Sequence, residues 1–241
     1  MESGTKTAMG RVLLICNDSS SIQQVAAGMQ SLAIATEVCT EVTMALPLVS
    51  RKKFEAIIVD CGMEQAGEIL EQLRLSPSNR TAVTFAITDP AKPSVFPTQP
   101  NFVIEKPLSA SSVGRTLKAA FGLIVRERRR SFRCPVTIAA IVLIDGTEAS
   151  GHLVNISEGG MAMTELPVLK PGAQIRVQFT LPGQRDRFTV DSEVCWYDET
   201  GRAGLRSLLI SSEHKSSLQE WLAAKLEEDL PEAVALQFCK K

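Results

Sequence analysis

The residues best equipped for chemistry in this 241-residue chain are five arginines packed into eight positions, Arg126-Glu-Arg-Arg-Arg-Ser-Phe-Arg133. Guanidinium stays charged and presents a planar fork of donors, so such a run suits an anion. The rest of the chain sharpens this. Residues 1–122 carry 11 basic and 11 acidic side chains, and residues 123–241 carry 15 and 16. Without the run, that second part would hold 10 basic against 15 acidic groups. A protein that coats nucleic acid spreads its basic residues over a face. Here positive charge is a point feature, matched to one compact anion. A plainer origin stays open, because arginines at a helix end complement the C-terminal dipole. Downstream, Asn155-Ile-Ser157-Glu-Gly-Gly160 joins an amide, a hydroxyl and two glycines, the composition of a binding turn or of an ordinary one.

Other chemistry is scarce. His152 and His214 are the only histidines, and the six cysteines at 16, 39, 61, 134, 195 and 239 form no CxxC pair. Zinc patterns and most histidine triads are therefore excluded. Isolated cysteines behind a segment, MESGTKTAMGRVLLIC, without a signal-type apolar stretch fit reduced thiols in a cytoplasm. The longest uncharged apolar run, residues 134–144, falls short of the ~20 residues a bilayer requires. The expectation is a cytoplasmic protein that is not an enzyme and has no membrane span.

Two kinds of element must hold these residues. Apolar runs at 11–16, 36–40, 54–60, 82–88 and 102–104 alternate with helical spacing, ending in a helix over 111–126. Continuously apolar strands between helices predict a parallel sheet covered on both faces. Prolines at 90, 93, 97 and 100 make 89–101 an irregular loop where a helix would otherwise stand. Later runs at 136–145, 151–156, 160–165, 174–181, 188–197 and 202–210 are separated by Asp145-Gly146, Gly159-Gly160, Pro171-Gly172, Pro182-Gly183 and Thr200-Gly201. That grammar predicts an antiparallel barrel. Ser212 then caps a helix through Leu218, Trp221, Leu222, Leu226 and Leu230, which Pro231 ends. Trp196 and Trp221 read as core residues from their apolar neighbours, and His152 as a surface or rim residue.

Arg129-Arg-Ser-Phe-Arg133 followed by Cys-Pro, with Asn155-Ile-Ser157-Glu-Gly-Gly160 beyond it, resembles the paired RxxxR and [D/N]xSxxG signatures of the PilZ domain. Residues 179–183, Glu193-Val-Cys-Trp196 and Gly204-Leu-Arg206 agree, and the resemblance spans roughly 126–228. It implies a six-stranded antiparallel PilZ barrel with a C-terminal helix, and a bacterial receptor for cyclic di-GMP. It further implies that Arg129 and Arg133 grip phosphate and guanine, while Asn155, Ser157 and Gly160 line one guanine. Gly160 would serve by close backbone approach or positive φ. An arginine at the Arg128 position implies two stacked ligands per chain. The chemistry agrees, since the ligand offers two phosphodiester anions and guanine O6/N7 edges that guanidinium pairs bidentately.

The first half resembles a receiver domain, a flavodoxin-like parallel sheet, through Asp60, Thr88 and Lys106-Pro107 at strand ends. That resemblance implies a phosphoacceptor Asp60 contacted by Thr88 and Lys106, with Mg²⁺ on neighbouring carboxylates. Cys16-Asn17-Asp18 supplies one carboxylate where receivers carry a pair, so Asp60 is expected as a vestigial phosphoacceptor, with Mg²⁺ only if it is phosphorylated; a solvated strand-end carboxylate is the alternative. The resulting organisation is α/β plus all-β: a receiver-like domain at 1–122, an arginine-rich linker at 123–133 and the barrel with its helix at 134–241. The expected function is a cyclic di-GMP effector, working through interdomain geometry or an unidentified protein partner, with a homodimer left open, no cofactor and no DNA. The run is expected to be mobile until it folds over ligand. Two rival readings are a nucleic-acid-binding barrel using the basic linker and a phosphorylation-dependent response regulator.

Overall fold

The computed structural model describes residues 9–92 and 98–229. The chain divides into two compact units, with Arg129 in the first and Arg130–Glu228 forming the second.

The first unit runs β1 (Gly10–Ile15), α1 (Ser19–Ser31), β2 (Ile34–Cys39), α2 (Val42–Arg51), β3 (Ala56–Asp60), α3 (Ala66–Leu75), β4 (Val83–Thr88), β5 (Phe102–Glu105) and α4 (Ala110–Ser131). All its strand pairs are parallel, in the order β2-β1-β3-β4-β5. This is the doubly wound, receiver-like order. Alternate residues of the central strands point to opposite faces and both faces are covered. Leu14, Ile58 and Phe85 meet Val25, Met29, Val113 and Leu117, whereas Leu13, Ile57 and Val59 meet Val49, Ile69 and Leu73. Helix α2 was not legible in the sequence because Pro47 lies inside it. Its apolar stripe, Val42, Ala45 and Val49, is buried and offsets the lost backbone bond. Around the proline-rich loop, Asp89 bridges Lys92 and residues 98–101 are non-helical; the part at 93–97 lies outside the described residues.

Helix α4 corrects the sequence reading of the arginine run. The helix continues to Ser131 instead of ending near 126, so Arg126 to Arg130 are helical where a free segment was expected. Arginine is a good helix former, and no glycine or proline interrupts the chain between Gly122 and Pro135.

The second unit runs β6 (Cys134–Ile144), β7 (Thr147–Ser157), β8 (Gly160–Thr164), β9 (Gln174–Thr180), β10 (Arg187–Tyr197), β11 (Ala203–Ile210) and α5 (Ser212–Asp229). The strands close a six-stranded antiparallel barrel in the order β10-β11-β8-β7-β6-β9. Phe179 and Phe188 stack at 5.5 Å in the core, and Leu218, Leu222 and Leu226 of α5 join the same cluster. The capping residue of α5 is Ser211 rather than Ser212: its Oγ accepts the His214 N–H at 3.2 Å, and its carbonyl accepts the Lys215 N–H. Pro231 lies outside the described residues. No described helix is long and apolar enough to cross a membrane.

Candidate functional site

Two bulges shape the outer face of the barrel. The β7–β8 register shifts between Leu153 and Asn155, and the β10–β11 register shifts between Val194 and Trp196. Each bulge leaves one residue, Val154 or Cys195, without a partner on that side and reverses the in–out alternation beyond it. Gly151 and Leu153 are buried before the first bulge; after it Ile156 and the strand-ending Ser157 are buried, and Asn155 is turned outward. Val190, Ser192 and Val194 are buried before the second, and after it Tyr197 packs on the core while Trp196 points out. Trp196 is 44% exposed, which corrects its reading as a core residue. Trp221 is partly buried against the core and donates its indole N–H to the Pro182 carbonyl.

The registers put five residues in one row across the barrel: Pro135, Asn155, Ala162, Gly204 and Trp196. The middle of the row has almost no side chain. The indole lies over Gly204, where a Cβ would sit 2.0 Å from Nε1. With strands about 4.8 Å apart, Asn155 and Trp196 are on the order of 14 Å from each other, and the indole spans the first interval. At the other end Arg133 donates through Nη1 to Asn155 Oδ1 at 3.5 Å. An aromatic wall, a floor of small residues, an amide and an exposed guanidinium thus share one surface.

The rest of the turn motif holds that surface in place. Ser157 ends β7, Gly160 starts β8, and Ser157 Oγ donates to the Gly160 carbonyl at 2.9 Å in a buried bond. A Cβ on Gly160 would lie 2.1 Å from the Leu205 carbonyl oxygen of β11. Glycine is required there for close approach and not for positive φ.

The arginines of the run part company. Arg126, Arg130 and Arg133 are exposed, whereas Arg129 is half-buried. Arg128 has a side chain 23% exposed and pairs with Glu55 at 3.8 Å. Beside it Glu127 is buried and accepts from Lys53 Nζ at 2.5 Å and from Thr81 Oγ1 at 2.6 Å. Lys53 and Glu55 precede β3 and Thr81 precedes β4, so these carboxylates fasten the last turns of α4 to the N-terminal ends of the parallel strands.

At the other end of β3, Asp60 is not a solvated carboxylate. It is 2% exposed, its Oδ2 accepts from Lys106 Nζ at 2.7 Å and from the Cys16 thiol at 3.3 Å, and its Oδ1 accepts the Gly62 N–H. Burial pulls the Lys106 ammonium down, but the Asp60 carboxylate outweighs it and leaves the group above its ordinary value. Burial, helped by Asp60, pushes the Cys16 thiol up to about 11, so it is neutral. Asp18 is committed elsewhere: it caps α1, accepting from Ser20 N–H, Ser21 N–H and Ser21 Oγ, and the Ser21 bonds hold it below the usual carboxylate range. Thr88 ends β4, and its carbonyl accepts the Lys106 N–H at 2.8 Å. Mg²⁺ takes hard oxygen ligands. The neutral Cys16 thiol does not suit it, while the carboxylates of Asp18 and Asp60 are engaged by the α1 cap and by Lys106, and no group of three metal-ligating side chains occurs among the described residues.

Residues 127–224 match the PilZ domain family. No curated protein matches the chain. Among solved structures it is similar to the Bacillus subtilis inhibitor of motility MotI, at 17% identity and TM-score 0.34 over 39% of this chain and 48% of that one. It is similar to Escherichia coli YcgR in complex with c-di-GMP at 26% identity and TM-score 0.35, over 42% and 47% of the two chains. The first half is similar to the receiver domain of a Pseudomonas aeruginosa sensor histidine kinase at 18% identity and TM-score 0.43, over 47% and 98%. The chain spans about half the length of MotI and of YcgR.

Proposed function

We propose that this chain is a cyclic di-GMP effector whose PilZ domain takes the ligand on the row from Arg133 to Trp196. The observation that carries the reading is the pair of bulges, which turns Asn155 and Trp196 onto one outward face with Arg133 at its end. In this reading Arg129 and Arg133 pair with phosphodiester oxygens and a guanine O6/N7 edge. Asn155 hydrogen-bonds a base edge, and Trp196 stacks on a base face. Ser157 and Gly160 fix the turn that borders the base. E. coli YcgR, a similar structure, holds c-di-GMP, which supports the choice of ligand.

The organisation we propose is a receiver-like domain at 1–122, an arginine segment at 123–133 and a barrel with its helix at 134–241. The protein acts by binding rather than catalysis. Ligand capture changes interdomain geometry or the surface offered to a protein partner, and the receiver-like domain serves docking or dimerisation.

Calorimetric titration of the full chain with cyclic di-GMP, with GTP and a single-stranded oligonucleotide as controls, tests this. Arg133→Ala should weaken binding at least ten-fold, since a charge-assisted contact is worth about 1.5–3 kcal/mol. Cyclic di-GMP should also change the emission of Trp196, read as a signal absent from Trp196→Phe protein. Tight binding by Arg133→Ala protein would refute the site; a preference for the oligonucleotide would refute the ligand. The molar ratio tests the two-ligand expectation attached to Arg128.

A further inference from the structure

Resting on the cyclic di-GMP reading, we propose that Arg206 is a second phosphate-binding arginine of the barrel unit, set across the floor from Arg133 so that the site takes a ligand with two phosphodiesters. The next outward rung beyond the floor carries Ser157, Gly160, Arg206 and Glu193, one residue on each of β7, β8, β11 and β10. It is the rung of the turn motif itself. Gly204 and Arg206 lie two residues apart on β11 in a regular ladder with β8, and buried Leu205 stands between them, so Arg206 faces outward beside the floor. Glu193 faces the same way, because Ser192 and Val194 on either side of it are buried. The bulge between Val194 and Trp196 then puts a carboxylate and an indole three residues apart on one face, where an unbroken strand would send them to opposite faces.

Arg206 Nη2 donates to Glu193 Oε2 at 2.7 Å, and the arginine side chain is 60% exposed. A guanidinium carries five N–H groups, so this bond holds it on the outward face and leaves most of its donors toward solvent. Arg133 stands at the Asn155 end, and β7 is two strands from β11, or about 10 Å by strand spacing. All of these residues belong to the barrel unit. Cyclic di-GMP is a ring closed by two phosphodiesters on opposite sides, each with one negative charge. Within this unit Arg133 can neutralise only one of them. Trp196 over Gly204 offers a face to a base, and the turn from Ser157 to Gly160 borders it, so the ring that joins the two nucleotides reaches the rung of Arg206. Phosphate accepts a charged donor from many directions, whereas a guanine edge demands the planar fork. A side chain already tied through one Nη suits the first of these.

The test is calorimetric titration of the full chain with cyclic di-GMP, comparing wild type, Arg206→Gln, Arg206→Lys and Arg176→Gln. Arg176 is a matched control: its side chain is 53% exposed and pairs with Asp191, and it sits on β9, which contributes nothing to the row. Arg206→Gln should weaken binding about ten-fold, the loss of one charge-assisted contact. Arg206→Lys should stay within about three-fold of wild type, because a phosphate accepts a point charge, and Arg176→Gln should bind as wild type does. Wild-type affinity in Arg206→Gln protein, while Arg133→Ala protein loses binding, would overturn the inference and leave the ligand assignment intact. So would an equal loss in Arg176→Gln protein, the mark of a long-range effect of charge, or a lysine variant as weak as the glutamine one, the mark of a base-edge reader. Absence of binding in wild-type protein would overturn the ligand assignment and this inference with it.

Discussion

Asp60 and Arg133 both came from the sequence as candidate site residues, and the structure treats them in opposite ways. Asp60 is buried at a strand end, with an ammonium, a thiol and a backbone N–H already around it. Arg133 is exposed just past a helix end and donates a long bond to the Asn155 amide oxygen. A charge enclosed by the protein's own partners is spent on holding the fold, because an incoming ligand must first displace them. A charge left in water next to neutral polar and aromatic groups has its donors available. The same contrast runs within one stretch of five arginines, between Arg128 on Glu55 and Arg133 on the barrel.

Four experiments would break or sharpen that contrast. The largest effect should come from the supporting glycine. Gly160→Ala drives a Cβ against the Leu205 carbonyl, so β8 or β11 must move, and the barrel should lose about 3 kcal/mol in urea unfolding. Next, Lys106→Met leaves the Asp60 carboxylate buried without its cation. The expected loss is about 2 kcal/mol, below the value for a fully buried pair because Lys106 is partly solvated. Arg133→Ala should change stability by less than about 0.5 kcal/mol, so equal losses for the two variants would erase the contrast. Third, incubation with acetyl phosphate and Mg²⁺ should leave the intact mass unchanged. A phosphoryl adduct missing from Asp60→Asn protein would show that the enclosed carboxylate is still reachable.

The smallest effect concerns thiols. Burial raises Cys16 and Cys61 from 9.0 to about 11, so folding favours their protonated forms. Because the folded value lies above the unfolded one, this stabilisation is complete below pH 9.0 and is lost as pH rises through about 11. Iodoacetamide at pH 8 should label exposed Cys195 well before Cys16 or Cys61, and stability should begin to fall above pH 9. Equal labelling rates would show an open pocket.

The continuous apolar runs of the first half and the punctuated runs of the second were enough to read both sheets, since burial on two faces and turn chemistry leave local marks. Features decided by contact between distant residues were not. Pro47 masked α2, whose stability comes from the stripe Val42, Ala45 and Val49 against the sheet. Local propensity permits a helix through Arg126 to Arg130, but its anchoring through Glu127 to Lys53 and Thr81, residues far off in the chain, leaves no local mark. Trp196 was misplaced because alternation assigns it inward, and a bulge is visible only in the pairing with β11. Composition alone left a solvated Asp60 open; Lys106, which the receiver resemblance singled out, closes it from a distant strand end. Of the turn motif, the composition was legible, but the reason for Gly160 lies in the Leu205 carbonyl.

A strand has a reading frame of two, and each bulge is a frameshift within it. Val154 and Cys195 are single inserted letters, and what stands after them is read on the opposite face. Point substitution cannot restore the original frame, because every side chain keeps its direction whatever its identity. Removal of the inserted residue does not restore it either: without Val154, Asn155 would follow buried Leu153 and still face outward, and without Cys195, Trp196 would follow buried Val194 and do the same. The outward row of this barrel therefore withstands both single substitutions and the loss of either bulge residue, and its history in related chains is to be sought in the register of whole strands.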